Sequence, residues 1–222
     1  MKAFHNSPEL KAGLLRELHK HEAADAATRG TYGEMGLSAS AFKGCAIGCA
    51  LNSLNLLNGR FCPTPKSVSD HHRFPEELGI PVEIAYLVDH IFENLPAPHY
   101  KTWSRRVIEA VPVGADLSNI VPTLLEWIIL DPTDGFISRS EPKFHPTYRR
   151  FAGLVRKDWT TSGSVTLSEW GQIEADLVGC RPLVRARAWI WARARARAWT
   201  GAWTSSYNKL SEKAIDLLSE AR

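Results

Sequence analysis

Six residues, Gly44-Cys45-Ala46-Ile47-Gly48-Cys49, constrain the fold more than any other stretch of the chain. Two glycines and two cysteines each recur at a spacing of four, inside a mostly apolar run from Ala41 to Leu57. On a helix, positions four apart lie one above the other. Gly44 and Gly48 would then open a groove for a crossing backbone or a small ligand, with Cys45 and Cys49 on the adjoining strip. The spacing predicts a helix over Ala41–Leu57, ending at Asn58-Gly59, around which the remaining helices pack. Cys45 and Cys49 make a poor disulfide, because side chains four apart on a helix point nearly parallel.

The same 3.6-residue period recurs along the chain. Ser7-Pro8-Glu9 is a helix start, with a capping hydroxyl, a first-turn proline and an acid. Leu10, Leu14, Leu15 and Leu18 follow at helical spacing, and the alanines up to Ala27 extend that helix to a stop at Gly30. His19 and His21, two apart, face different directions and read as solvated. Residues 30–40 read as a loop. The prolines of Cys62-Pro63-Thr64-Pro65 break helix, and the connection runs on through His71-His72-Arg73. Regular structure resumes at Pro81, where Val82, Ala85, Val88, Ile91, Phe92 and Leu95 give an amphipathic helix that Pro96 and Pro98 end.

Further helices are expected over Trp103–Val111, after a cap at Asp116 or Ser118, from Pro142 or Pro146 to Arg156, from Thr166 or Ser168 to Val178, and over Ser205–Ala221. Pro122 marks a kink or a first turn. Asp131-Pro132-Thr133-Asp134-Gly135 is a turn. Strand patterns are missing, since no period-two run has the β-branched content that sheets favour. The fold class is therefore all-α: a single globular domain over residues 1–222 with seven to nine helices.

From Arg185 to Trp199 every odd position is Arg or Trp and every even one is Ala, except Ile190. That is literal strand alternation, yet alanine and arginine are strong helix formers and fifteen residues make a long strand. A long helix is the preferred reading, within a basic C-terminal section at 182–222. Charge supports a partner surface there. Residues 1–138 carry a net −4, and residues 139–222 a net +7. Arg185, Arg187, Trp189, Trp191, Arg193, Arg195 and Arg197 are the candidate binding residues, joined by Gly44 and Gly48 of the groove. Arginine interleaved with tryptophan suits a protein interface, self-association or single-stranded nucleic acid.

For the cysteines, close packing of a central helix is the plainest reading. A metal site would need ligands beyond Cys45 and Cys49, with Cys62, His71 and His72 as candidates. Nucleophilic catalysis would pair Cys45 or Cys49 with His71 or His72. A small ligand in the groove is the remaining alternative. Paired-carboxylate chemistry finds no support in Asp116 and Asp131, which sit where caps and turns want aspartate. No phosphate-binding glycine loop is present, and no cofactor is expected. No apolar run reaches the ~18 residues that a membrane span needs. Met1-Lys2-Ala3-Phe4-His5-Asn6 lacks the apolar core of a signal peptide. Both point to a cytoplasmic location with reduced thiols.

Several phrases together resemble a group of small, uncharacterised phage-encoded and metagenomic proteins. They are Lys43-Gly44-Cys45-Ala46-Ile47-Gly48-Cys49, Leu78-Gly79-Ile80-Pro81, Asp89-His90-Ile91-Phe92-Glu93-Asn94-Leu95-Pro96 and Val111-Pro112-Val113-Gly114-Ala115-Asp116-Leu117-Ser118. The resemblance covers about residues 40–132, with an Ala/Arg-rich tail of similar flavour beyond. It implies a phage setting in a host cell and no particular chemistry. The group's pattern has a histidine soon after the second cysteine. Here Asn52 and Asn55 stand in that neighbourhood, and a longer insert containing Cys62 leads to His71-His72. The expected function is a binding protein that blocks or sequesters a host component, as in counter-defence. The alternatives are a small enzyme centred on Cys45 and Cys49, cysteine- or metal-dependent, and nucleic-acid binding through the Arg/Trp segment.

Overall fold

A computed structural model of the chain describes residues 1–27, 34–35, 42–43, 46–58, 71–161, 165–177 and 207–222. The fold is all-α. The described residues form nine α-helices, and their only strands, β1 (Glu34–Met35) and β2 (Phe42–Lys43), are two residues each and antiparallel. They group into two compact units, Met1–Ser118 with Ser206–Arg222, and Asn119–Ser205.

The first unit begins with α1 (Pro8–Ala23), where the Ser7 hydroxyl accepts the amide of Leu10 at 3.1 Å. The expected extension to Gly30 is corrected: α1 stops at Ala23. Asp25 turns the chain with φ 47°, a left-handed conformation that aspartate tolerates better than most residues. Its carboxylate receives Lys101 at 2.6 Å. The glycine-cysteine helix also starts later than expected. It is α2 (Ala46–Leu57), and Phe42–Lys43 pairs with β1 instead, in the register Met35↔Phe42. A short helix that the sequence reading passed over, α3 (Arg73–Leu78), buries Phe74 and Leu78.

Then come α4 (Val82–Asn94) and α5 (His99–Ala110), and α9 (Tyr207–Ser219) closes the unit. α1 packs on α2 and α5, while α5 also meets α4 and α9. Trp103 sits fully buried on α5, and its indole N–H donates to the Val88 carbonyl of α4 at 2.9 Å. A buried tryptophan needs such an acceptor. Lys11 reaches from α1 to the carbonyls of Glu109 and Val111 at 2.9 and 2.7 Å. It thereby satisfies groups that the C-terminus of α5 leaves open, at the negative end of the helix dipole. The stripe expected on α9 is in place: Leu210, Ala214, Leu217 and Leu218 are buried.

The N-terminus is folded against this unit in an unusual way. Phe4, His5 and Asn6 all take left-handed φ of 50–62°. The Ala3 amide donates to Ala115 at 3.0 Å, and the Gly114 amide returns to Ala3 at 2.9 Å. Phe4 is thereby fully buried.

In the second unit, α6 (Ile120–Leu130) starts after Asn119, not at a cap on Asp116, whose carboxylate instead accepts the Ser118 amide in a local turn. Pro122 falls in the first turn of α6, where a proline lacks nothing the helix needs. Leu124, Leu125, Ile128 and Ile129 pack against α7 (His145–Thr160), which contributes Tyr148, Phe151 and Val155. α8 (Leu167–Asp176) opens on a capping box, with Thr166 and Glu169 each bonding the other's backbone amide. Trp170 meets Phe151 edge-on at 6.2 Å.

Candidate functional site

Polar side chains converge where α2, α3 and α4 meet. α2 is apolar on the face it buries, yet Asn52 and Asn55 stand on it one turn apart and are both buried. α3 answers with Arg73 and Glu77, also one turn apart. The Arg73 Nε donates to Glu77 Oε1 at 2.6 Å, and its Nη1 donates to Asn52 Oδ1 at 2.8 Å. Asn55 Nδ2 donates to Glu77 Oε2 at 2.8 Å. Four residues from two helices thus form one network, with both Glu77 oxygens engaged. Two donors are left over, Arg73 Nη2 and Asn52 Nδ2, buried and with no acceptor among the described residues. A buried donor without a partner costs about 1–3 kcal/mol, and more when charged.

His71 lies just before α3. Its ring is 4.5 Å from that of Tyr86 and 6.3 Å from that of Phe74. Its Nε2 stands 3.4 Å from Asp89 Oδ2 of α4. That is an ion-pair distance without hydrogen-bond geometry, short of the oriented base that a nucleophilic arrangement needs. Beside Asp89, His90 is held below the usual histidine range by burial, an effect the Asp89 charge opposes. The Tyr207 hydroxyl is 3.3 Å from His90 Nε2, and burial pushes that phenol up.

Among the candidate residues, Gly48 is buried on α2, and Cys49 follows it on the same helix with its side chain outside the described set. Gly44, Cys45 and Cys62 also lie outside the described residues, as do Arg185, Arg187, Trp189, Trp191, Arg193, Arg195 and Arg197. His71 and His72 are brought to the α3 turn, His71 inward and His72 exposed. Among the described residues no three His, Cys, Asp or Glu side chains gather at metal-holding distance. No described helix is long and apolar enough to cross a membrane.

Arg73 and Glu77 escaped the sequence reading, although their spacing of four is an ion-pair signal on a helix. His21 is corrected from solvated to buried. It faces the packed side of α1, and burial holds it below the usual histidine range. Comparison with known proteins gives no matching family model, no similar curated protein and no similar solved structure.

Proposed function

We propose that this is a binding protein of the phage setting that the resemblance implies, one that holds a host component in the cytoplasm without transforming it. The observation that carries this reading is the commitment of the charged groups at the α2–α3 junction to one another. Both oxygens of Glu77 and two nitrogens of Arg73 are occupied within the network. Such groups fix helices in place, and a catalytic acid or base needs a face turned to its substrate. The partner surface is then the basic Arg/Trp segment, where arginine and tryptophan supply the side chains that dominate interface energetics.

The experiment is recovery of the tagged full-length chain from a bacterial host under mild salt. A stoichiometric host protein retained by Cys45→Ala and Cys49→Ala, and lost on Trp189→Ala with Trp191→Ala, supports binding through the tail. Retention by the tryptophan variants removes that support.

A second reading, a cysteine-dependent enzyme, is favoured by the 3.4 Å approach of His71 to Asp89. There His71 would be the base, Asp89 its orienter and Cys45 or Cys49 the nucleophile. A thiol alkylated much faster than free cysteine at neutral pH, and slowed by His71→Ala, would favour it.

A further inference from the structure

The polar network between α2 and α3 does not balance. Asn52 Oδ1 and both Glu77 oxygens each receive a hydrogen bond. The buried atoms of the network left without a partner are both donors: Arg73 Nη2 and Asn52 Nδ2, neither with an acceptor among the described residues. The two belong to side chains already joined by a 2.8 Å hydrogen bond through their neighbouring atoms. Asn52 is 0% exposed and Arg73 8% exposed, so both side chains are withdrawn from bulk water.

We propose that Asn52 and Arg73 hold a small monovalent anion, of halide size, between α2 and α3. Three features select that class. Two unpartnered buried donors call for an acceptor, and an anion answers both without bringing protons that need acceptors of their own. The burial of both nitrogens excludes a ligand with a bulky tail. Glu77, 2.6 Å from Arg73, already offsets much of the guanidinium charge, so a dianion such as sulfate is repelled more than it is held. The ion ties the α3 turn to α2 and makes the stability of this unit depend on anion concentration, by mass action on the native state. This inference is independent of the binding reading above.

The test is thermal unfolding of the full-length chain at fixed ionic strength, with chloride or bromide replacing gluconate, and sulfate as a further comparison. The wild-type midpoint is expected to rise and saturate with either halide and to stay level in gluconate, while sulfate gives only the gradual, non-saturating rise of an excluded salt. In Asn52→Asp a carboxylate takes the place of the ion beside Arg73, so the halide response should vanish while the chain stays folded. Crystals grown in bromide supply a measurement that no variant can spoil: an anomalous peak within contact of Arg73 Nη2 and Asn52 Nδ2. Equal midpoints in halide and gluconate, a halide response that persists in Asn52→Asp, or bromide peaks only elsewhere would each overturn the proposal.

Discussion

Gly13 of α1 lies directly beneath Leu54 of α2: a Cβ placed on Gly13 would stand 3.3 Å from Leu54 Cδ1. Gly13 thus lets these two helices approach closely at this point. Gly13→Ala should be nearly neutral, because the contact is the far end of a half-buried side chain and alanine gains about 1 kcal/mol of helix propensity over glycine. Gly13→Leu should cost about 1–3 kcal/mol by overpacking. Urea unfolding of both variants checks the contrast.

Gly79 and Gly114 anchor the left-handed N-terminal turn. Gly79 has φ +62°, and a Cβ there would meet the Lys2 carbonyl oxygen at 2.2 Å. Gly114 has φ +79°, and its Cβ would meet the Asn6 side chain at 2.5 Å. Left-handed backbone alone costs a non-glycine residue roughly 1–2 kcal/mol. With the clash against backbone added, Gly79→Ala should lose about 2 kcal/mol or more. Gly114→Ala should lose less, since Asn6 can rotate away. Denaturant midpoints rank the two.

Acid should weaken the first unit. Burial lowers the pKa of both His21 and His90, so the unfolded chain takes up protons first as pH falls. Their contribution is present above about pH 6.5 and is lost as pH drops below the unfolded histidine value. His21→Leu should flatten the fall in stability between pH 7.5 and 5.5. An unchanged pH profile in that variant would remove His21 from the account.

Local signals were legible and tertiary ones were not. Ser7 and Thr166 cap helices as their positions indicate, because a cap is decided by a few adjacent residues. The apolar stripe of α9 reads off its period alone. The six residues of α3 are too few to show a period, and Pro75 within them reads as a break. Nothing local tells Phe4 and His5 to adopt left-handed backbone; their packing against Gly79 and Gly114 does. The close approach at Gly13 had no local signal, because it depends on Leu54, a partner 41 residues away. Asn52 and Arg73 are likewise 21 residues apart, so their pairing is a property of the fold.

Breaking the α2–α3 network from the cationic side should be more damaging than breaking it from the neutral side. Arg73→Met leaves the Glu77 carboxylate with Asn55 and no counter-charge. The partial exposure of Glu77, 22%, discounts the fully buried figure to about 2–3 kcal/mol. Asn55→Ala removes one neutral hydrogen bond, worth about 1 kcal/mol. Paired unfolding curves under one buffer check the order.

If the chain works by holding a partner, the purified protein binds the host component it retains with an affinity that can be measured. Titration calorimetry should give a one-to-one complex whose dissociation constant is within about twofold of wild type for Cys45→Ala with Cys49→Ala. Trp189→Ala with Trp191→Ala should weaken it at least tenfold, about 1.4 kcal/mol. A partner that is chemically altered on mixing, with the alteration abolished by His71→Ala or by the cysteine variants, would contradict the claim and establish the enzyme.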